Sequence, residues 1–182
     1  DMLSASAHKF NGPKGIGFLY IKKGTQINPF NDGGAQEYGK RAGTENVAAI
    51  VGMATALKKN CADISVNSVY LYELEQLLID KLKSANIDFM RNGAANHIPG
   101  TMSLSFKNLS GEMLLHRLDL KGICVSTGSA CDSNNTQVSH VLEAMKMPRE
   151  YAEGTIRISL SKDNTLDDVE SIVAALISIL KP

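Results

Sequence analysis

Apolar positions recur most regularly near the end of the chain. Leu166, Val169, Ile172, Val173, Leu176, Ile177 and Leu180 fall at helical spacing, so residues 166–180 predict a helix with one buried side. Thr165 followed by Asp168 reads as a capping box that starts it. In Thr101-Met102-Ser103-Leu104-Ser105-Phe106 every second residue is apolar, which predicts a half-buried strand. Residues 155–160 predict the last strand, with Arg157 on the side opposite Ile156, Ile158 and Leu160. A helix over about 65–84 buries Val69, Leu74, Leu77, Leu78 and Leu82. Thr44 is a good N-cap, with Glu45 in the first turn, and Val47, Ile50, Val51, Ala54 and Leu57 follow at helical spacing. Ser110 caps a helix carrying Met113, Leu114 and Leu118, which Lys121-Gly122 closes. Ile87-Asp88-Phe89 and Ile123-Cys124-Val125 read as short strands. Val138, Val141, Leu142 and Met145 share one face of a helix that Pro148 stops.

These elements divide unevenly. From about residue 63 to 182 they make a complete α/β layer unit. Residues 1–62 are glycine-rich at first and hold too few elements to cover both faces of a sheet, so they read as the C-terminal end of a larger domain whose beginning is missing. With 43% hydrophobic residues in 182, the chain can build a buried core. Its 19 basic and 19 acidic residues cancel, leaving no broad field to favour nucleic acid or an anionic membrane as partner. No apolar run reaches the roughly 18–20 residues of a membrane span. The start, Asp1-Met2-Leu3-Ser4, has no basic n-region and no hydrophobic stretch and so does not read as a secretory signal.

Cys61, Cys124 and Cys131 are unevenly spaced and form no Cys-x-x-Cys pair, so no metal site is predicted and a reducing, cytoplasmic setting suits them. Cys61 and Cys124 read as inert core residues. Cys131 sits among Gly128, Ser129, Ala130, Asp132 and Ser133, a segment of small residues suited to movement. It is either a mobile nucleophile or an exposed, idle thiol, and neighbouring Asp132 opposes thiolate formation. Lys9 lies between Ser6-Ala7-His8 and a Gly12-Pro13 turn. It is either a surface lysine or, if desolvated, a nucleophilic amine able to hold a carbonyl cofactor, with Ser6 and His8 as phosphate donors. Arg157 suits a carboxylate, or a structural ion pair. Gly34-x-x-x-x-Gly39-Lys40-Arg41 is not a nucleotide loop, because Arg41 replaces the metal-binding hydroxyl. Arg41-Ala42-Gly43-Thr44 instead offers a hydroxyl and a helix N-terminus to an anion. His97 and His140 read as structural.

Four ordered motifs carry a resemblance: Ser-Ala-His-Lys-x-x-Gly-Pro-Lys-Gly at 6–15, Arg-Ala-Gly-Thr-Glu-Asn at 41–46, Ser-Thr-Gly-Ser-Ala-Cys at 126–131 and Thr-Ile-Arg-Ile-Ser-Leu at 155–160. The chain resembles NifS/IscS-like cysteine desulfurases of the class-V, fold-type I pyridoxal-phosphate enzymes. That resemblance implies an α/β fold comprising the end of the large domain and the small domain. It also implies pyridoxal 5'-phosphate held covalently on Lys9, with Ser6, Ala7 and His8 at its phosphate. Thr44 would reach the phosphate of the other subunit in a homodimer, and Arg157 would hold the carboxylate of L-cysteine. Cys131 would take the sulfur as a persulfide, leaving L-alanine, and pass it to iron–sulfur scaffold proteins or other acceptors, including those of tRNA thiolation.

The sequence departs from the family pattern at Asp132 and at Gln137-Val138, where Glu-Pro is usual. The family's stretch before Lys9 supplies a phosphate loop, a ring-stacking histidine and an aspartate paired with the pyridine nitrogen; none can be placed here. The resemblance therefore implies half an active site, inactive without the other half. Selenocysteine lyase and a cofactor-free module binding iron–sulfur scaffold proteins are the alternatives.

Overall fold

The structure, a computed structural model, describes residues 1–128 and 138–181. The chain divides into two compact units, Asp1–Ile64 and Ser65–Pro182.

In the first unit, β1 (Met2–Ser6) pairs antiparallel with β2 (Gly17–Ile21), placing Ser6 opposite Gly17. A 3-10 turn, Ala7–Phe10, lies between them. A single turn, α1 (Gln36–Gly39), follows, with Glu37 and Tyr38 at positive φ. Then comes α2 (Val47–Ala62). Thr44 does not cap this helix. The cap is Asn46, whose side chain accepts from the Ala49 N–H at 3.2 Å. Asn46 stands directly before the first helical residue, where a side-chain oxygen can reach a free N–H of the first turn. Of the apolar stripe read from the sequence, Val47, Val51 and Leu57 are exposed. Ile50 of that stripe is half-buried, and with it Ala49, Gly52, Met53, Ala56 and Asn60 make the half-buried side. Small residues are needed there because the turn approaches closely: a Cβ on Gly52 would lie 2.8 Å from Pro13 Cγ. Ala7 is the one fully buried residue described in this unit. Little apolar burial is available within it to offset the ordering of its backbone.

The second unit takes α3 (Ile64–Ser84) from its second residue onward. It continues with β3 (Phe89–Asn92), β4 (Thr101–Phe106), α4 (Gly111–Asp119), α5 (His140–Ala144), α6 (Arg149–Ala152), β5 (Thr155–Ser159) and α7 (Leu166–Leu180). The strands form an antiparallel sheet in the order β3-β4-β5. Met102, Leu104 and Phe106 of β4 join Ile156 and Ile158 of β5 in one core with Leu74, Leu78 and Leu82 of α3, Leu114 and Leu118 of α4, and Val169 and Leu176 of α7. The period of two along the strands puts this apolar row on one face and Ser103, Ser105 and Arg157 on the other. Ser110 caps α4, and the capping box of Thr165 and Asp168 is complete.

Four expectations are corrected. Cys61 and Cys124 are exposed rather than part of the core. Val69 is 61% exposed, because on α3 it shares a side with exposed Glu73 and Asp80 rather than with Leu74 and Leu78. Residues 123–125 form no strand; the single bridge in this region starts at Ser126. The helix after residue 138 is only five residues long, and of its expected face Leu142 is buried while Val141 and Met145 are exposed.

The buried stripe of α3 also contains a charge. Glu75, fully buried, lies 2.6 Å from Arg91 Nη2 and 2.9 Å from His97 Nε2, and accepts from the Gly100 N–H at 3.1 Å. A carboxylate out of water is tolerable only with such partners. His97 thus has a structural place, fastening the segment before β4.

Candidate active site

Lys9 stands on the turn that joins β1 to β2. Ala7 begins that turn with its N–H committed to the Ile16 carbonyl at 3.0 Å and its own carbonyl accepting from Gly12 at 2.8 Å. Asn11, at φ 64°, takes the left-handed conformation that asparagine tolerates better than most residues. A Cβ on Gly12 would come within 2.9 Å of the Ala7 Cβ, so this corner has no room for growth at either position. Ala7 therefore acts as the packed base of the turn. Its N–H is already taken, which leaves a ligand the neighbouring groups.

Ser6, His8 and Lys9 are exposed. The Ser6 hydroxyl makes no capping bond to the turn it precedes. Among the described residues Lys9 makes no salt bridge. Of the two readings of Lys9, the residues of this chain leave it open to solvent.

Helix α2 braces this turn from behind. Asn60 Nδ2 donates to the Phe10 carbonyl, one residue past Lys9, and to the Ala56 carbonyl, both at 2.9 Å. Gly52, Ala56 and Asn60 follow one another at a spacing of four, so one line along the helix meets Pro13 at one end and Phe10 at the other. Asn60 was missed in the sequence because a polar residue late in a helix looks solvated. Thr44 is exposed, in the link before α2. Beside it the Gly43 N–H donates to Gln36 Oε1 at 3.0 Å. The helix N-terminus expected at Thr44 lies further on, behind Asn46.

Arg157 occupies the middle of β5, half-buried, opposite Ser103 on one side and Ser126 on the other. The Ser126 N–H donates to the Arg157 carbonyl at 3.1 Å, and the Arg157 N–H donates to the Ser126 carbonyl at 2.6 Å. Ser103 in turn stands opposite Asn92 of β3. Directly opposed residues project from the same face of a sheet. Asn92, Ser103, Arg157 and Ser126 thus form one polar row across it.

The row is internally bonded at its β3 end. Asn92 Nδ2 donates to Ser103 Oγ at 3.0 Å and to Ser105 Oγ at 2.8 Å, and Ser105 Oγ lies 2.6 Å from Thr155 Oγ1. Among the described residues Arg157 has no ion-pair partner on this face. A half-buried guanidinium with hydroxyl neighbours and no acid beside it suits an anionic ligand with planar oxygens. Cys131 lies outside the described residues; its motif begins at Ser126, beside Arg157. No group of three or more metal-ligating side chains occurs among the described residues.

Comparison with known proteins bears on this arrangement. The model of the family described as "Aminotransferase class-V" matches residues 1–172. A protein named cysteine desulfurase IscS from Dictyoglomus turgidum is 44% identical over 182 residues, covering 100% of this chain and 46% of its own length. A solved structure of a NifS-like protein superposes with a TM-score of 0.87 at 39% identity, covering 99% of this chain and 46% of that one. Another, described as SspA in complex with cysteine, has a TM-score of 0.67 at 31% identity and covers 91% and 45%. The chain spans about half the length of the relatives it matches. Its four motifs, its strand-turn-strand lysine corner and the extent of the family match lead to one statement: the chain belongs to the class-V aminotransferase family.

Proposed function

We propose that this chain is the C-terminal part of a pyridoxal-phosphate cysteine desulfurase that converts L-cysteine to L-alanine and receives the sulfur on Cys131. The observation that carries the reading is the place of Arg157: a guanidinium without an acidic partner among the described residues, bonded through its backbone to the first residue of the cysteine motif. The likeness to cysteine desulfurases across 99–100% of the chain, and a relative described in complex with cysteine, support it.

Residues 6–9 fit a phosphorylated carbonyl cofactor. They combine an open amine, a hydroxyl unused by its own turn and an exposed imidazole on a corner rigidified by Ala7 and Gly12. Pyridoxal phosphate, bound at Lys9, supplies an electron sink that labilises bonds at the substrate's α and β carbons. Ser6 and His8 hold its phosphate, and Thr44 contributes to the phosphate site of a second subunit in a homodimer. Arg157 holds the substrate carboxylate. Lys9 moves a proton at the substrate Cα. The Cys131 thiolate attacks the substrate sulfur; the S–S bond forms as the Cβ–S bond breaks, and the carbon fragment takes up a proton to leave as L-alanine. Iron–sulfur scaffold proteins or other thiol acceptors then collect the sulfur in a cytoplasmic setting.

The test is alanine and persulfide production from L-cysteine by the full-length enzyme. Cys131→Ala is expected to abolish persulfide formation while near-visible absorbance, bleached by borohydride, persists. Undiminished turnover in that variant would remove Cys131 from the mechanism.

A further inference from the structure

Both backbone polar groups of Arg157 point to Ser126. In an antiparallel sheet a residue bonded on one side forms a non-hydrogen-bonded pair on the other, and in such pairs the Cα atoms approach to about 4.5 Å with side chains closest together. Ser103 is therefore the side chain brought nearest to the root of Arg157 on β4. Its hydroxyl oxygen is already an acceptor, from Asn92 Nδ2 at 3.0 Å, and among the described residues its O–H has no acceptor of its own. The same amide donates its second proton to Ser105, which lies 2.6 Å from Thr155. The Thr155 hydroxyl lies 3.4 Å from the Tyr151 carbonyl, which can only accept. That carbonyl sets the direction of the chain: Asn92 to Ser105 to Thr155 to Tyr151, every proton pointing away from Asn92. The cost of the arrangement is visible at Asn92 Oδ1, buried with no partner among the described residues. Turning the amide over would make Ser103 donate to it; the observed orientation leaves the Ser103 proton available to another acceptor.

On the reading that Arg157 holds the substrate carboxylate, we propose that Ser103, oriented by Asn92, donates a further hydrogen bond to that carboxylate and so helps to select α-carboxylate substrates. A guanidinium fork leaves lone pairs on both carboxylate oxygens, and one uncharged donor at its flank fills one of them.

The experiment uses the full-length, cofactor-loaded enzyme. It measures kcat and KM for L-cysteine and, by calorimetry, Kd for L-alanine, which retains the carboxylate and lacks sulfur. Loss of a hydrogen bond to a charged group corresponds to about a tenfold change. Ser103→Ala is expected to raise KM and the L-alanine Kd by about that factor, with kcat within about twofold and the affinity for cysteamine, which has no carboxylate, unchanged. Ser103→Thr, keeping the hydroxyl, is expected to restore both. Asn92→Asp, which can only accept, is expected to raise them as Ser103→Ala does. Unchanged KM and Kd in Ser103→Ala, beside a large rise in Arg157→Ala, overturn the role of Ser103 alone. Unchanged values in Arg157→Ala overturn the carboxylate reading itself. An equal loss of cysteamine affinity or a collapse of kcat in Ser103→Ala marks a structural effect and also overturns the proposal.

Discussion

Ser126 and Arg157 exchange two backbone hydrogen bonds, of 3.1 Å and 2.6 Å, so the first residue of the cysteine motif is a rung on the strand that carries the arginine. Ser126→Pro removes the donor of one bond and obstructs the other. The expected outcome is faster hydrogen exchange at the Arg157 amide, by about fivefold for the net worth of one bond, with the Leu104 amide unaffected. An unchanged Arg157 amide would show that the rung contributes nothing.

Asn60 ties α2 to the Lys9 turn through the Phe10 carbonyl. Asn60→Leu leaves that carbonyl without its donor, a loss of about 1 kcal/mol. Trypsin cleavage after Lys9 is expected to accelerate about fivefold. Cleavage after residues of the second unit, such as Lys121, serves as the control.

Gly154 precedes β5 where the chain passes very close to β4. A Cβ there would lie 2.1 Å from the Phe106 carbonyl oxygen, which is backbone and cannot swing aside. Gly154→Ala is expected to cost about 2 kcal/mol or more, read as a fall of several degrees in the melting temperature of the second unit.

Glu75 holds Arg91, His97 and the Gly100 N–H at one buried carboxylate. Glu75→Leu removes the carboxylate that all three share, leaving the Gly100 N–H without its acceptor, and is expected to destabilise by about 3 kcal/mol in urea unfolding. Glu75→Gln, which retains an acceptor oxygen, should lose less. Equal losses would mean that the charge itself is what the site requires.

Asp168 titrates below the ordinary aspartate range, chiefly because it accepts from the Thr165 backbone N–H and then from the Asn164 side chain. A carboxyl whose folded value is depressed contributes stability at pH values above its unfolded value, about 3.9, and that contribution fades as pH falls through the lower folded value. In thermal unfolding at pH 7, Asp168→Asn should melt below the wild type. The gap should narrow progressively below about pH 4. A gap constant from pH 7 to 2 would exclude the linkage.

The parts of the fold legible in the sequence are those whose causes are local. The capping box of α7, the Ser110 cap and the alternation of β4 each depend on residues within a few positions of one another. The position of the α2 cap was read two residues early because Thr44 and Asn46 are both good caps, and only the path of the chain into the helix decides between them. Ile123-Cys124-Val125 has strand-like composition, yet strand formation depends on a partner edge, and pairing begins only at Ser126. Arg157, Lys9 and the family motifs were visible as residues. Their supports were not: Asn92 and Ser103 meet through cross-strand register, and Asn60 meets Phe10 fifty positions away.

β5 forms the margin of the three-stranded sheet, and the backbone groups of Arg157 on its outer side are covered by Ser126. An uncovered margin is a template on which a foreign chain can add as a further strand. The segment that leads into the cysteine motif therefore also acts as a guard rail. Whatever loosens it weakens the barrier to unwanted association between molecules.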